Sequence, residues 1–555
     1  MRYAGWGRGG VAVLLAGVVA LAGCANEADS KTAAEGKKAS ETTTTTTEDR
    51  VCDQKPTVVP VQAKPVDGTP SDLDITSFDG TVIRAHWFPA DGPGPYPTML
   101  MGPGWSQPGA TEERDPILFG ALSITGMNDA GYNVLTWDPR GFGKSTGLAS
   151  VNDPTLEGRD VQVLLDWVAE QAVAATDRTG DPRVGMVGVS YGGGIQLVLA
   201  ARDCRVDVLV PSLAWHSLST SLNRADTVKV GWSGVLNTAA TTFGGRLDPH
   251  ITSAATSGTS EGVLSDEDRE WFKSRGPGDL IDDVSIPTLF VQGTVDTLFT
   301  LDEGIENYAS LRERDVPTAM IWFCGGHGTC LTDEGDTDWV KERTFAWLRR
   351  YLDGDESIDT GARFETVDQT GARWVGDDYP AEQGDPITAS GAGTLQLDAS
   401  SKAGPVTAPR PGSTDILSGI VLGITPAKAV TAIEVKVDPG DTDGLVLGAP
   451  ELRFTYSGTT PAGSRPTRVF AQLVDDDTGI VVGNQITPIE IDLDGATRDV
   501  SVDLESVAFH ARPGHTLTLQ IVATTPAYAE PRLGGSIDMS AIELTLPVAT
   551  GLKPA

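Results

Sequence analysis

Hydrophobic and polar positions change rhythm several times along the chain. An apolar run at residues 11–22 follows Arg2 and Arg8; it is shorter than a bilayer-spanning helix. Residues 25–50 are polar, with threonine at every position from Thr42 to Thr47, and hold too little apolar surface to build a core. From Asp72 onward, short apolar runs alternate with helical periodicity. Residues 73–77 and 82–88, around Asp79-Gly80, predict a hairpin. Strands are expected at 97–101, 133–137, 184–189 and 206–210, and helices at 117–130, 160–171 and 195–202. The alternation breaks at 213–283, a Ser/Thr/Gly-rich stretch carrying Trp215, Trp232 and Trp271, and resumes with strands at 287–292 and 318–323 and helices at 301–312 and 339–352. Alternating strands and helices predict a parallel, doubly wound α/β sheet, with any ligand site beyond the carboxyl ends of its strands.

After Asp353 the texture changes again. Gly, Pro, Asp and Thr punctuate short runs at 394–397, 432–437, 451–456, 468–473, 486–491, 516–522 and 541–546, the pattern of an all-β sandwich. The expected organisation is therefore a leader at 1–24, a flexible tether at 25–55, an α/β domain at 56–355 with an insertion at 213–283, a connecting segment at 356–393, and a β-sandwich at 394–555. A chain of this length exceeds what one core supports. Nothing repeats at a solenoid period.

The stretch with most chemical content is Gly188-Val189-Ser190-Tyr191-Gly192. It lies where an apolar strand gives way to a helix, which is the context of the nucleophile elbow of an α/β-hydrolase. The pentapeptide pattern alone is weak, because Gly-x-Ser-x-Gly also occurs around Ser145 and Ser260. Neither of those serines sits between a strand and a helix, so context selects Ser190. Nor is Gly143-Lys144-Ser145 a P-loop, since Asp138 occupies the position that would need glycine.

Two further residues follow in the chain order of an α/β-hydrolase triad: Asp296 at the end of the strand expected at 287–292, and His327 after the strand at 318–323. The chain has six histidines, and of these only His327 occupies the loop after the last strand of the expected sheet. A serine hydroxyl attacks a carbonyl at neutral pH only if a base removes its proton. Imidazole can do this and return the proton to the leaving group, and a carboxylate fixes its tautomer. The oxyanion needs preorganised donors. The N–H of Tyr191 is one, and the loop after 97–101 offers Trp105 N–H first and Ser106 N–H second. The segment 213–283 reads as a cap over this site, and its tryptophans line either a substrate pocket or a core of the cap itself.

The formal net charge of −34 argues against nucleic acid or anionic lipid as partners. No Cys-x-x-Cys and no paired histidines at helical spacing occur, so neither a metal nor an organic cofactor is expected. Leu21-Ala22-Gly23-Cys24 resembles the lipobox of bacterial lipoproteins. That resemblance implies export, acylation of Cys24, and a globule tethered to the outer face of the cell membrane, touching it only through the lipid. The four remaining cysteines suit disulfides in an exported chain, with Cys324–Cys330 closing a small loop and Cys52–Cys204 pairing by elimination.

Asp138-Pro-Arg-Gly-Phe-Gly-Lys-Ser-Thr-Gly147, the Ser190 elbow with its following tyrosine, Val291-Gln-Gly-Thr-Val-Asp296 and the β-rich C-terminal part together resemble the cocaine esterase/X-prolyl dipeptidyl-peptidase-like serine hydrolases. The resemblance implies an α/β-hydrolase domain with a helical cap, a C-terminal jelly roll packed against it, and cleavage of a small ester or peptide substrate through an acyl-enzyme on Ser190. In that family a tyrosine hydroxyl usually serves the oxyanion, whereas this loop reads Gly104-Trp105-Ser106. Ester cleavage and release of Xaa-Pro dipeptides remain open alternatives. The second needs an acidic partner for the substrate amino group, for which Glu261, Asp266 and Glu267 in the cap are candidates. A non-catalytic binding lipoprotein and a glycan-binding β-domain are the readings from other classes.

Overall fold

The apolar runs fold into one large sheet flanked by helices. The structure is a computed structural model that describes residues 64, 66–113, 122–406, 420–463 and 465–555. The expected leader, tether and lipidated Cys24 lie outside the described residues. So does Cys52.

Eleven strands form the large sheet among the described residues. The hairpin Ser71–Thr76 and Val82–Phe88 pairs antiparallel at one edge, with Val82–Phe88 also antiparallel to Asn133–Trp137. From there six steps are parallel, in the order Asn133–Trp137, Thr98–Gly102, Val184–Val189, Val206–Ser212, Thr288–Gly293, Thr318–Phe323 and Phe364–Val367. These central strands are buried almost end to end, which is why they read as continuous apolar runs rather than as alternations. Helices Glu157–Ala169, Tyr191–Arg202, Leu301–Glu313 and Asp338–Tyr351 flank the sheet. This is the α/β-hydrolase fold.

The expected insertion is a set of short helices, Leu218–Asn223, Val230–Thr242, Pro249–Ser260 and Asp266–Lys273. They share one apolar cluster with the α/β domain, in which Trp215, Trp232 and Phe272 belong with Phe142, Tyr191, Leu298 and Phe299.

The segment expected to be a mere connection, 356–393, instead adds strands to the large sheet. Phe364–Val367 and Arg373–Gly376 extend it, and Lys553–Pro554 at the other end of the sandwich closes its edge. The sandwich itself begins at Ile387, earlier than the periodicity suggests, because Ile387–Gln396 contains glycines that blur the alternation. Its two four-stranded antiparallel sheets bury Phe454, Val469, Leu519 and Ile542 between them. All described residues fall within one compact unit.

Candidate active site

Ser190 stands at the tip of strand Val184–Val189 and caps helix Tyr191–Arg202. Its φ of 58° and ψ of −115° lie in a region that L-residues seldom visit, and such strain clusters at functional sites. The turn is possible because two positions lack side chains. A Cβ on Gly192 would sit 2.0 Å from the carbonyl oxygen of Gly102, and one on Gly188 would sit 2.6 Å from that of Gly192. Gly193 and Gly194 N–H both donate to Ser190 carbonyl, at 2.9 Å. Tyr191 opens the helix, so its N–H has no acceptor within it.

The elbow is braced from beneath by a buried acid. Tyr191 hydroxyl donates to Glu157 at 3.2 Å, and Asn152 Nδ2 donates to Tyr191 carbonyl at 2.8 Å. Glu157 also accepts from the N–H groups of Ser150 (2.6 Å) and Asp153 (3.0 Å). Burial lifts the Glu157 carboxyl to about 8, and burial first, with Glu157 second, raises the Tyr191 phenol. The Tyr191 hydroxyl is thus engaged by Glu157 and by the Asn152 N–H.

Asp296 and His327 are brought together by the loops after Thr288–Gly293 and Thr318–Phe323. Asp296 Oδ2 lies 2.7 Å from His327 Nδ1 and accepts His327 N–H at 3.0 Å, while Oδ1 accepts Leu298 and Phe299 N–H, each at 2.9 Å. The carboxylate is fully buried, and four donors hold it in one orientation. The loops touch because Gly326, at φ 135°, has no side chain; a Cβ there would lie 2.6 Å from that of Asp296. A disulfide joins Cys324 to Cys330 around His327, with Cα atoms 5.5 Å apart. Cys204 is also disulfide-bonded; its expected partner Cys52 is outside the described residues.

The imidazole is wedged between aromatic rings, edge-on to Phe299 at 5.1 Å and Trp232 at 5.9 Å. Its Nε2 is buried and has no hydrogen-bond partner among the described residues. That is the nitrogen a general base would use. The other five histidines each face a different partner: His86 meets Asp72 and Asp138, His216 meets Asn307, His250 meets Asp268, His510 meets Asp443 and His515 meets Asp475.

Ser190 and Phe299 also border a cavity under the cap. Among the described residues its wall includes Trp105, Tyr191, Val151, Trp215, Leu218, Leu222, Val228, Leu236, Ile251, Leu264, Phe272 and Leu298, with Ser233 and Asn237 as polar members and no charged side chain. Of the three cap tryptophans, only Trp215 reaches the wall. Trp232 instead donates through Nε1 to Thr297 Oγ1 at 3.0 Å, next to the acid loop, and Trp271 stacks on His250. The acidic candidates Glu261, Asp266 and Glu267 are exposed and absent from the wall.

Trp105 has a second part to play. Its indole packs edge-on to Tyr191 (5.2 Å) and Phe142 (4.8 Å), and Nε1 donates to Leu236 carbonyl in the cap at 3.0 Å. The side chain therefore ties the loop after Thr98–Gly102 to the cap. The other two Gly-x-Ser-x-Gly serines are structural: Ser145 Oγ donates to Asp138 carbonyl at 2.6 Å, and Ser260 ends a cap helix.

Residues that motif and spacing do not single out also converge here. Lys229, buried in the cap, donates to Leu298 carbonyl at 3.1 Å; burial pushes its ammonium down against the opposing pull of Glu505, Glu303 and Asp296. Gln485 and Asn484 reach in from the sandwich. No local signal marks any of the three, because each acts across a long sequence separation.

Residues 79–329 match the family model described as X-Pro dipeptidyl-peptidase of the S15 family. Similar solved structures include a CocE/NonD family hydrolase from Staphylococcus aureus, 12% identical with a TM-score of 0.59, over 87% of this chain and 93% of that one. An α-amino acid ester hydrolase is 13% identical with a TM-score of 0.65, over 90% of this chain and 100% of that one. At such identities the likeness is one of fold. A polyketide transferase of Penicillium sp is 28% identical over 137 residues, 24% of this chain and 42% of that protein. An uncharacterised Escherichia coli protein is 33% identical over 89 residues, 16% of this chain and 29% of that protein. The chain thus spans less than half the length of these curated relatives.

Proposed function

We propose that this chain, whose residues 79–329 match the S15 family model, is a serine esterase acting on esters with an apolar acyl group. In this reading Ser190 attacks the ester carbonyl while His327 Nε2 takes the hydroxyl proton, and Asp296 stabilises the imidazolium through Nδ1. The N–H groups of Tyr191 and Trp105 receive the oxyanion. His327 then protonates the departing alcohol, leaving the acyl group on Ser190. Water, deprotonated by the same imidazole, releases the acid and restores the serine.

The observation that carries the reading is the cavity beside Ser190, to whose wall the described residues contribute no charged side chain. Release of an Xaa-Pro dipeptide requires a counter-charge for the substrate ammonium, because an unpaired charge in an apolar cavity is costly to desolvate. An apolar acyl chain has no such need, and each buried methylene contributes about 0.8 kcal/mol. The peptidase reading is favoured by the description of the family model alone. A paired assay separates them: p-nitrophenyl butyrate should turn over far faster than Ala-Pro-p-nitroanilide, and the reverse ranking would reject the esterase. Labelling by a fluorophosphonate, lost in Ser190→Ala, would distinguish either enzyme from a non-catalytic scaffold.

We further propose that the protein is exported and anchored through Cys24. Support comes from the Leu21-Ala22-Gly23-Cys24 sequence and from the Cys324–Cys330 disulfide, which suits an oxidising compartment. Among the described residues no helix is long and apolar enough to cross a membrane. Metabolic labelling with palmitate should mark the protein, and Cys24→Ala should abolish the label.

A further inference from the structure

We infer that the β-sandwich holds the acid and base of the site in alignment through two positioning residues, Asn484 and Gln485. The inference rests on the reading of Asp296 and His327 given above. Both residues lie in the short link between strands Arg468–Asp475 and Thr487–Glu490. Gln485 Nε2 donates to the backbone carbonyl of Asp296 at 2.8 Å, and Asn484 Nδ2 donates to that of Thr329 at 3.1 Å. Adjacent side chains thus grip both loops, one at the acid itself and one two residues beyond the base. Both are buried, so neither bond competes with bulk water.

The link is shaped for this approach. Gly483 and Asn484 take left-handed φ values of 63° and 56°, a conformation that glycine and asparagine tolerate best. A Cβ at Gly483 would already lie 3.2 Å from Thr294 carbonyl oxygen, on the same acid loop. The sandwich is fixed nearby by further contacts. Arg224 of the cap pairs with Glu505 at 2.6 Å and donates to Asp503 carbonyl at 2.9 Å.

The contacts bear on catalysis because the Asp296 carboxylate is saturated by its own loop and His327. The direction of the imidazole then follows the positions of the two loop backbones, which Gln485 and Asn484 set from outside the sheet. A displacement of the base by about 1 Å costs on the order of a hundredfold in rate. Neither residue lines the substrate cavity, so substrate binding should be indifferent to them.

The test uses the full chain with Gln485→Met, which keeps side-chain length without the donor, and Asn484→Gly, which keeps the left-handed backbone. Steady-state kinetics on p-nitrophenyl butyrate should show kcat reduced on the order of tenfold in each, with KM unchanged and a cooperative melt retained. Gln485→Glu, an acceptor facing a carbonyl, should not rescue kcat. Unchanged kcat in Gln485→Met overturns the inference, as does a parallel change of KM or loss of the cooperative melt in both variants, which would assign the residues to domain stability. If Ser190→Ala itself keeps full activity, the triad reading fails instead, and the two failures are distinguishable.

Discussion

The two halves of the site are built on different principles. The Ser190 half is local. Strand, elbow and helix follow one another in 19 residues, Val184–Arg202, and the strain at Ser190 is held by glycine contacts with the neighbouring strand and by Asn152 and Glu157 from below. The Asp296–His327 half is distributed. Asp296 and His327 sit on loops that meet beyond the sheet edge, and these are held by a disulfide, a buried cap lysine and two amides from the sandwich. The first half owes its geometry to what the sequence omits, namely Cβ atoms. The second owes it to parts of the chain far away. Damage to the first should therefore destroy activity or folding outright, whereas damage to the second should degrade turnover by degrees.

The sharpest contrast comes from Ser190→Ala, which should lower kcat by roughly 10⁴-fold or more while leaving the melting temperature near that of the parent. Next in size is Gly192→Ala. Its Cβ would meet the Gly102 carbonyl oxygen at 2.0 Å, backbone against backbone, so a loss of about 3 kcal/mol or more is expected in denaturant unfolding. A weaker effect is expected on the other half. Reducing Cys324–Cys330, or replacing both cysteines by serine, should lower kcat about tenfold with little change in KM, since His327 lies within the closed loop. A loss of Ser190-type magnitude there would erase the contrast between the halves.

A last effect, on stability rather than turnover, concerns pH. Glu157 titrates at about 8 in the fold, against 4.5 for an ordinary glutamate. Below pH 4.5 both folded and unfolded states carry its proton. Between there and about 8 only the folded state does, so rising pH erodes stability by up to roughly 1.4 kcal/mol per pH unit from this group. Above 8 both states are ionised and the loss levels off. Glu157→Gln should flatten that slope in melting curves recorded from pH 5 to 9, at the cost of some stability at pH 5, where one hydrogen bond is poorly replaced. An unaltered slope would remove Glu157 from the account.

How much of this was legible in the sequence follows the same division. The elbow could be read because its signals are contiguous: an apolar strand, a glycine pair and a helical pattern. Asp296 and His327 were readable from chain order and strand-end position. The sheet extension at Phe364–Val367 and Arg373–Gly376 was not, since four-residue edge strands carry too short an alternation to register. The strands Gly444–Gly448, Arg498–Asp503 and Val507–Ala511 of the C-terminal part were not read either. The cap tryptophans had three different fates that composition could not separate. Gln485 and Asn484 were silent because an amide's partner is set by tertiary approach, here across 189 and 155 residues.

The central claim is that Ser190 carries the acyl group. The direct measurement is mass spectrometry of peptides from enzyme acid-quenched during turnover of p-nitrophenyl butyrate. The account predicts a butyryl mass on the peptide containing Ser190, absent from Ser190→Ala. Undiminished turnover by Ser190→Ala, or an acyl group on a different residue, would contradict it.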